Sequence, residues 1–179
     1  MRIAVVNEMS ASARNADILA ALAEFPEHEV VNAGMASPDE ANPLTYIHTG
    51  LMAAALLNAG ACDLAIGGCG TGQGFLNSVL QYPGVVCGLI TEPLDAWLFS
   101  QINAGNCVSL ALNKGYGWAG ELNLKLLFRE LFRDPPGDAV QLDAVEARFS
   151  HALRQEPEEV ADAHRGLQKV ALPEPQILY

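Results

Sequence analysis

Apolar and polar positions along this chain follow two alternating periods. Arg2 to Val6 is a compact β-rich run, followed at once by polar Asn7, Glu8 and Ser10. Apolar residues then recur at Ile18, Leu19, Leu22 and Phe25, the spacing of one helical face. His28 to Asn32 reads as a second strand, and Ala36 to Pro43, rich in Pro, Asp and Asn, as a loop. Leu44 to Ala59 keeps a helical period and stops at Gly60, a residue suited to a C-terminal cap. Asp63 to Gly67 is a short apolar strand that runs into Gly-Cys-Gly-Thr-Gly-Gln-Gly at Gly68 to Gly74. The pattern continues with a helix from about Phe75 to Leu80, a strand from Val85 to Thr91 closed by Glu92 and Pro93, and a helix from Leu94 to Gln101. A fifth strand, Cys107 to Leu112, precedes a helix over Glu121 to Phe132, with Leu122, Leu126, Leu127 and Phe128 on its apolar face.

Strands alternating with helices at this spacing predict an α/β domain, a parallel sheet with helices on both faces. Beyond Asp134 the composition shifts to Pro, Asp, Glu and Gln. Residues 134–179 therefore read as a C-terminal arm, with one amphipathic helix near Leu142 to Leu153 and an extended end. The expected arrangement is a domain over 1–133 with this arm packed on it or on a second subunit.

Composition narrows the function. With 21 acidic and 10 basic residues the net charge is −11, which argues against non-specific nucleic-acid binding, since that requires a cationic surface. The longest apolar run, Leu51 to Leu57, is far too short to cross a bilayer, so no membrane partner is expected. Cys62, Cys69, Cys87 and Cys107 form no C-x-x-C pair and no zinc-ribbon spacing. With no secretory-type segment ahead of the first strand, the expectation is reduced thiols in the cytoplasm.

The glycine-rich segment carries the chemistry. Ligands of parallel α/β sheets gather at the carboxyl ends of strands, where Gly68 to Gly74 falls. Amides of such a loop can converge on an anion: a phosphate, a carboxylate or an enediolate. No Lys-Ser or Lys-Thr pair follows, so it is not a Walker loop. Glycines at 68, 70, 72 and 74 do not fit G-x-G-x-x-G either. A nucleotide-binding reading stays open through Glu92, which ends the next strand where a ribose-binding acid would stand. Cys69 is the candidate nucleophile or base, because its neighbours are glycines rather than packing partners. Cys62, Cys87 and Cys107, in strands or at their edges, read as packing residues.

These segments resemble the type B ribose-5-phosphate isomerase and galactose-6-phosphate isomerase family. The likeness covers about residues 1 to 132. It is most specific from Thr45 to Asn106, where T-Y-I-H, C-G-T-G-Q-G, T-E-P and Q-I-N-A-G-N follow in register. The resemblance implies a Rossmann-like three-layer α/β/α sandwich with a five-stranded parallel sheet. It also implies a homodimer or homotetramer with active sites between subunits, and aldose–ketose isomerisation through a cis-enediolate without metal or other cofactor. By position, Cys69 matches the base that moves a proton between C1 and C2. Gly70, Gly72, Gln73 and Gly74 fall among the amides that stabilise the enediolate oxygen, and Thr71 matches a hydroxyl that helps ring opening or shuttles a proton. Tyr46 and Asn103 match substrate-contacting positions, and Glu8 stands where the family has an aspartate.

The departures bear on the substrate. Glu8-Met9 replaces an Asp-His pair, Ile102-Asn103 replaces His-Asn, and the phosphate-gripping arginine pair has no clear counterpart. Arg129 and Arg133 read as a solvated helix face, with Arg154 and Arg165 ambiguous. An open-chain substrate would not need the ring-opening histidine, and an unphosphorylated acid would not need the arginine clamp. Some relatives isomerise 4-deoxy-5-keto-uronates, and the Asn-Glu start, L-T-Y and G-Y-G-W are similar to that branch. The leading expectation is an aldose–ketose isomerase for a sugar or sugar acid, with a nucleotide-binding module and a catalytically inactive sugar-binding relative as alternatives. Among the remaining residues, His48 reads as a helix cap or interface residue. His28, His151 and His164 read as surface residues, and Trp118 as an anchor for the following helix.

Overall fold

The computed structural model describes residues 1–138. The expected helix near 142–153, most of the arm, and Arg154, Arg165, His151 and His164 lie outside the described residues. Five strands form one all-parallel sheet: β1 (Arg2–Asn7), β2 (Glu29–Asn32), β3 (Leu64–Cys69), β4 (Cys87–Ile90) and β5 (Cys107–Ala111), in the order β2-β1-β3-β5-β4. The helices are α1 (Asn15–Leu22), α2 (Tyr46–Asn58), α3 (Gln73–Val79), α4 (Pro93–Leu98) and α5 (Gly120–Leu131). A 3₁₀ turn over Ser12–Arg14 leads into α1. The result is the Rossmann-like three-layer α/β/α sandwich that the alternating periods and the resemblance implied. Among the described residues no helix is long and apolar enough to cross a membrane.

The sheet is covered on both sides, so its central strands are apolar throughout rather than alternating. Every residue of β3 is buried. On one face α1, α4 and α5 pack together, and Val5, Ile66, Val108, Phe128 and Ile18 belong to that core. On the other face α2 packs on α3, and Val6, Ala65, Phe75 and Val79 belong to a second core. Phe75 is wholly buried, and its ring lies where a Cβ at Gly67 would stand, so helix α3 sits close down on β3.

Three local departures from the sequence pattern have physical causes. Strand β3 continues past Gly67 to Cys69, because Gly68 and Cys69 pair with Leu110 and Ala111 of β5. Helix α3 begins at Gln73 rather than Phe75, since Gly72 at φ 76° turns the chain into it. Beyond Leu98 the helix widens into a π-helical turn, Phe99–Asn103, which ends at Ala104 in the left-handed region with φ 44°.

Candidate active site

The strand order reverses between β1 and β3. The chain leaving β1 enters α1 on one face, and the chain leaving β3 enters α3 on the other, so a crevice opens between the two carboxyl ends. Asn7 pairs with Gly68 across this seam, which sets Glu8 beside Cys69. Side chains alternate along a strand, and Val6 and Ala65 both point into the α2/α3 core; Glu8 and Cys69, two and four residues on, share that side. Both are enclosed: Glu8 is 3% exposed and Cys69 6%.

Cys69 was expected inside a loop, among glycines. It is instead the last residue of a buried strand, and its sulfur lies 3.9 Å from the Thr71 hydroxyl. Its carbonyl accepts hydrogen bonds from the amides of Leu112 (3.0 Å) and Gly72 (3.3 Å). The turn that follows is held from two other loops. The Gly70 amide donates to Ser10 Oγ at 2.8 Å, and the Gly70 carbonyl accepts from Asn113 and Lys114 at 3.1 and 2.8 Å. Asn113 Nδ2 in turn donates to the Ser10 carbonyl at 2.8 Å. The Gln73 amide points at Thr71 Oγ1 from 3.4 Å. Of the amides from Gly70 to Gly74, those of Thr71 and Gly74 meet no acceptor among the described residues, so they are the donors available to a ligand.

Tyr46 opens α2, and its ring rests on Gly74: a Cβ there would stand 2.9 Å from Tyr46 Cδ1. The glycine lets the phenol approach the loop. Thr45 and His48 form a capping box for α2, with His48 Nδ1 accepting the Thr45 amide at 3.1 Å, so His48 serves as the expected cap. Glu8 Oε1 accepts both the amide (3.0 Å) and the hydroxyl of Ser10. Glu8, Tyr46, Cys69, Gly70, Thr71, Gly72, Gln73 and Gly74 thus converge on one end of the sheet.

Asn103 does not join them. It ends the π-helical turn ahead of β5, whereas Cys69 pairs with Ala111 at the far end of that strand. At about 3.3 Å per residue the five residues of β5 separate the two by roughly 15 Å within one chain.

Charge is sparse at this end. Of the six cations among the described residues, Arg2 pairs with Asp63, Lys125 and Arg129 with Glu24, and Arg133 with Glu130 and Asp134. Arg133 is therefore committed to its own helix end, whereas Arg129 reaches across to Glu24 just past α1 and is not merely a solvated helix face. Arg14 lies over the Tyr116 ring at 4.5 Å, and burial, then the Asp17 carboxylate that accepts its proton at 2.7 Å, pushes the Tyr116 hydroxyl up and keeps it a donor. Lys114 forms no ion pair among the described residues; it lines a cavity of about 310 Å³ whose wall includes Thr71, Thr91, Tyr116 and Asn123 but no acidic residue.

Other expectations change. Glu92 and Asp95 form a capping box for α4, so the Glu92 carboxylate faces the Asp95 amide rather than awaiting a ribose. Trp118 is 95% exposed and anchors nothing among the described residues. His28 is not a surface residue: both ring nitrogens are buried, packed against Phe25 and Phe132. Sequence reading also passed over Ser10 and Asn113. Ser10 could have been found from its place just past β1, at the seam where the strand order reverses.

Comparisons with known proteins bear on the family and the fold. A comparison with curated proteins finds no match. A ribose-5-phosphate isomerase from Vibrio parahaemolyticus is 41% identical, with 96% of this chain and 83% of that one covered at a TM-score of 0.81. A 4-deoxy-L-threo-5-hexosulose-uronate ketol-isomerase complexed with a tartrate is 37% identical, with 97% and 79% covered at 0.76. The type B ribose 5-phosphate isomerase of Trypanosoma brucei, 21% identical over 84% and 97% at 0.71, shares the fold. The family model described as Ribose/Galactose Isomerase matches residues 3–122, and the chain belongs to that family of aldose–ketose isomerases.

Proposed function

We propose that this isomerase acts on an unphosphorylated sugar acid of the 4-deoxy-5-keto-uronate type, with Cys69 as the carbon base. In this reading the Cys69 thiolate takes the proton from the carbon next to the carbonyl and returns it to the neighbouring carbon. The negative charge of the enediolate rests against the free amides of Thr71 and Gly74. Thr71 supplies a hydroxyl next to the sulfur, Glu8 and Tyr46 line the same crevice, and Gly70, Gly72 and Gln73 shape the turn.

The observation that carries the substrate class is the scarcity of cations: of the two free of ion pairs among the described residues, Arg14 and Lys114, the one beside the Cys69 loop is Lys114. Its backbone is bonded to Gly70, and its side chain shares a cavity wall with Thr71. A phosphate dianion is gripped by forked, multiple donors, whereas a carboxylate needs a single cation and a few hydrogen bonds. The 37% identical relative is a uronate ketol-isomerase, and the missing histidines at Met9 and Ile102 suit a substrate that is already open-chain.

The same reading makes the enzyme a homodimer or homotetramer whose sites combine two chains, because Asn103 and Cys69 lie at opposite ends of one sheet. Its compartment is the reducing cytoplasm, in keeping with four unpaired cysteines.

Assaying the full chain on a 4-deoxy-5-keto-uronate and on ribose 5-phosphate tests the substrate, and solvent-deuterium incorporation tests the base. We expect turnover of the uronate and no exchange in Cys69→Ala. Efficient turnover of ribose 5-phosphate with none of the uronate refutes the substrate class; exchange within a few-fold of wild type in the variant refutes the base.

A further inference from the structure

We propose that Ser10 is a positioning residue for this reaction, setting the spacing between the Cys69 sulfur and the Glu8 carboxylate. The inference rests on the reading of Cys69 as the carbon base. Ser10 is bonded to Glu8 and to the peptide unit that joins Cys69 to Gly70. Its hydroxyl and its amide both donate to Glu8 Oε1, and the same hydroxyl oxygen accepts the Gly70 amide at 2.8 Å.

The consequence for Cys69 follows from peptide planarity. The Gly70 amide belongs to the peptide unit whose carbonyl is that of Cys69. That unit is held at its oxygen by Leu112 and Gly72 and at its nitrogen by Ser10. With both ends held, rotation of the plane is restrained, and so is the backbone that carries the Cys69 side chain. The Ser10 carbonyl is itself held by Asn113 Nδ2, so the loop after β1 is latched to the loop after β5.

The consequence for Glu8 is one of orientation and charge. Two donors on Oε1 leave Oε2 with no partner among the described residues, so one oxygen anchors the carboxylate while the other stays available. An aldose–ketose conversion must move one proton between carbons and one between oxygens. If Cys69 carries the first from C2 to C1, a second group takes the O2 hydroxyl proton and delivers one to O1, and the atoms then balance. Oε2 of Glu8, on the same side of the sheet as the sulfur, is placed for that second transfer. The Ser10 hydroxyl also turns its positive end to the carboxylate, tempering the repulsion that an adjacent thiolate would meet.

The test compares Ser10→Ala with Ser10→Thr in the full chain, using whichever of the 4-deoxy-5-keto-uronate and ribose 5-phosphate the wild type converts. Loss of positioning by about an ångström costs on the order of 100-fold in rate. We expect Ser10→Ala to lose about 10- to 100-fold in kcat with KM changed less than about threefold, and Ser10→Thr to recover most of it. Hydrogen exchange at the Gly70 amide should quicken in Ser10→Ala and not in Ser10→Thr. A role in stability alone would lower Tm and leave kcat intact. That result, a rise in KM alone, or unchanged Gly70 exchange overturns the proposal. Should Ser10→Ala fail to fold, Ser10→Cys keeps the size with a weaker donor and is judged by the same readouts. Cys69→Ala run in parallel separates the two ideas: exchange surviving there removes the base itself, whereas its loss alongside a normal kcat in Ser10→Ala removes only the latch.

Discussion

The Ser109 hydroxyl donates to the Gly72 carbonyl across 2.6 Å, in a site closed to solvent. Ser109 lies in the middle of β5, and Gly72 is the left-handed residue that turns β3 into α3. The bond therefore ties the glycine turn to the rigid centre of the sheet. Ser109→Ala would leave the Gly72 carbonyl with the Leu76 amide alone, and the loss of one buried hydrogen bond should cost about 1 kcal/mol. Urea unfolding should show that loss. The rate constant should fall with it, because the same turn orients the free amides of Thr71 and Gly74. A variant as stable and active as wild type would mean that the turn holds itself.

The separation of Asn103 from Cys69 makes a prediction about mixed assemblies. Neither Cys69→Ala nor Asn103→Ala should be active alone. In a mixed dimer, one site draws the intact Cys69 of one chain and the intact Asn103 of the other. Random re-pairing of equal amounts should restore about a quarter of wild-type activity, as expected for a two-fold assembly with two shared sites. Activity per chain should also fall on dilution, followed by light scattering and turnover on the same samples. No recovery on mixing would place both residues' roles within one chain, or remove Asn103 from the site.

Much of this arrangement was legible in the sequence because it is local. A β-rich run followed by polar residues identifies β1, and the helical period over Glu121 to Phe132 identifies α5, but of the apolar face expected there only Leu127 and Phe128 are buried: Leu122 and Leu126 are exposed, and Leu124 and Leu131 complete the inner side. Gly72 announces a turn because few other residues adopt its φ of 76°. What could not be read depends on topology. The Gly70 amide meets Ser10 only because β1 and β3 are neighbours, a pairing between residues 60 apart. The burial of Cys69 follows from its pairing with Ala111, which no local glycine count contains. Asn103 shares a motif with the site in sequence order but not in one chain's space, since the strand that follows it runs the full depth of the sheet. Trp118 resembled an anchor because aromatic residues bury large areas, yet its side chain is exposed.

His28 offers a stability test independent of function. Its ring lies near parallel to that of Phe25 and edge-on to that of Phe132, with both nitrogens buried and without partners among the described residues. An unsatisfied buried polar atom costs about 1–3 kcal/mol, and a phenyl ring of similar size removes that cost while keeping the aromatic contacts. His28→Phe should therefore raise the unfolding free energy by about 1 kcal/mol, read from Tm or urea midpoint. His28→Ala should lower it by opening a void between the two phenyl rings. A destabilised phenylalanine variant would show that the imidazole finds a partner the aromatic cluster does not supply.

The end of the sheet away from the site carries a different kind of bond, and its response to acid has a definite sign. Arg2 donates to Asp63 from its backbone amide at 2.7 Å and from its guanidinium at 2.6 Å, stitching the start of β1 to the start of β3. These hydrogen bonds hold the Asp63 carboxyl down to about 2 from an ordinary 3.8. A carboxyl whose folded value is depressed binds fewer protons in the folded state than in the unfolded one. Its contribution is thus complete above the unfolded value and is lost as pH falls through the folded one. Asp63→Asn should therefore melt below wild type at pH 6, with the gap closing between about pH 4 and pH 2. Because both side chains are about half exposed, the gap should be small and should shrink with added salt. A gap that persists unchanged at pH 2 would mean that the carboxylate's charge contributes nothing and that the amide alone accounts for the loss.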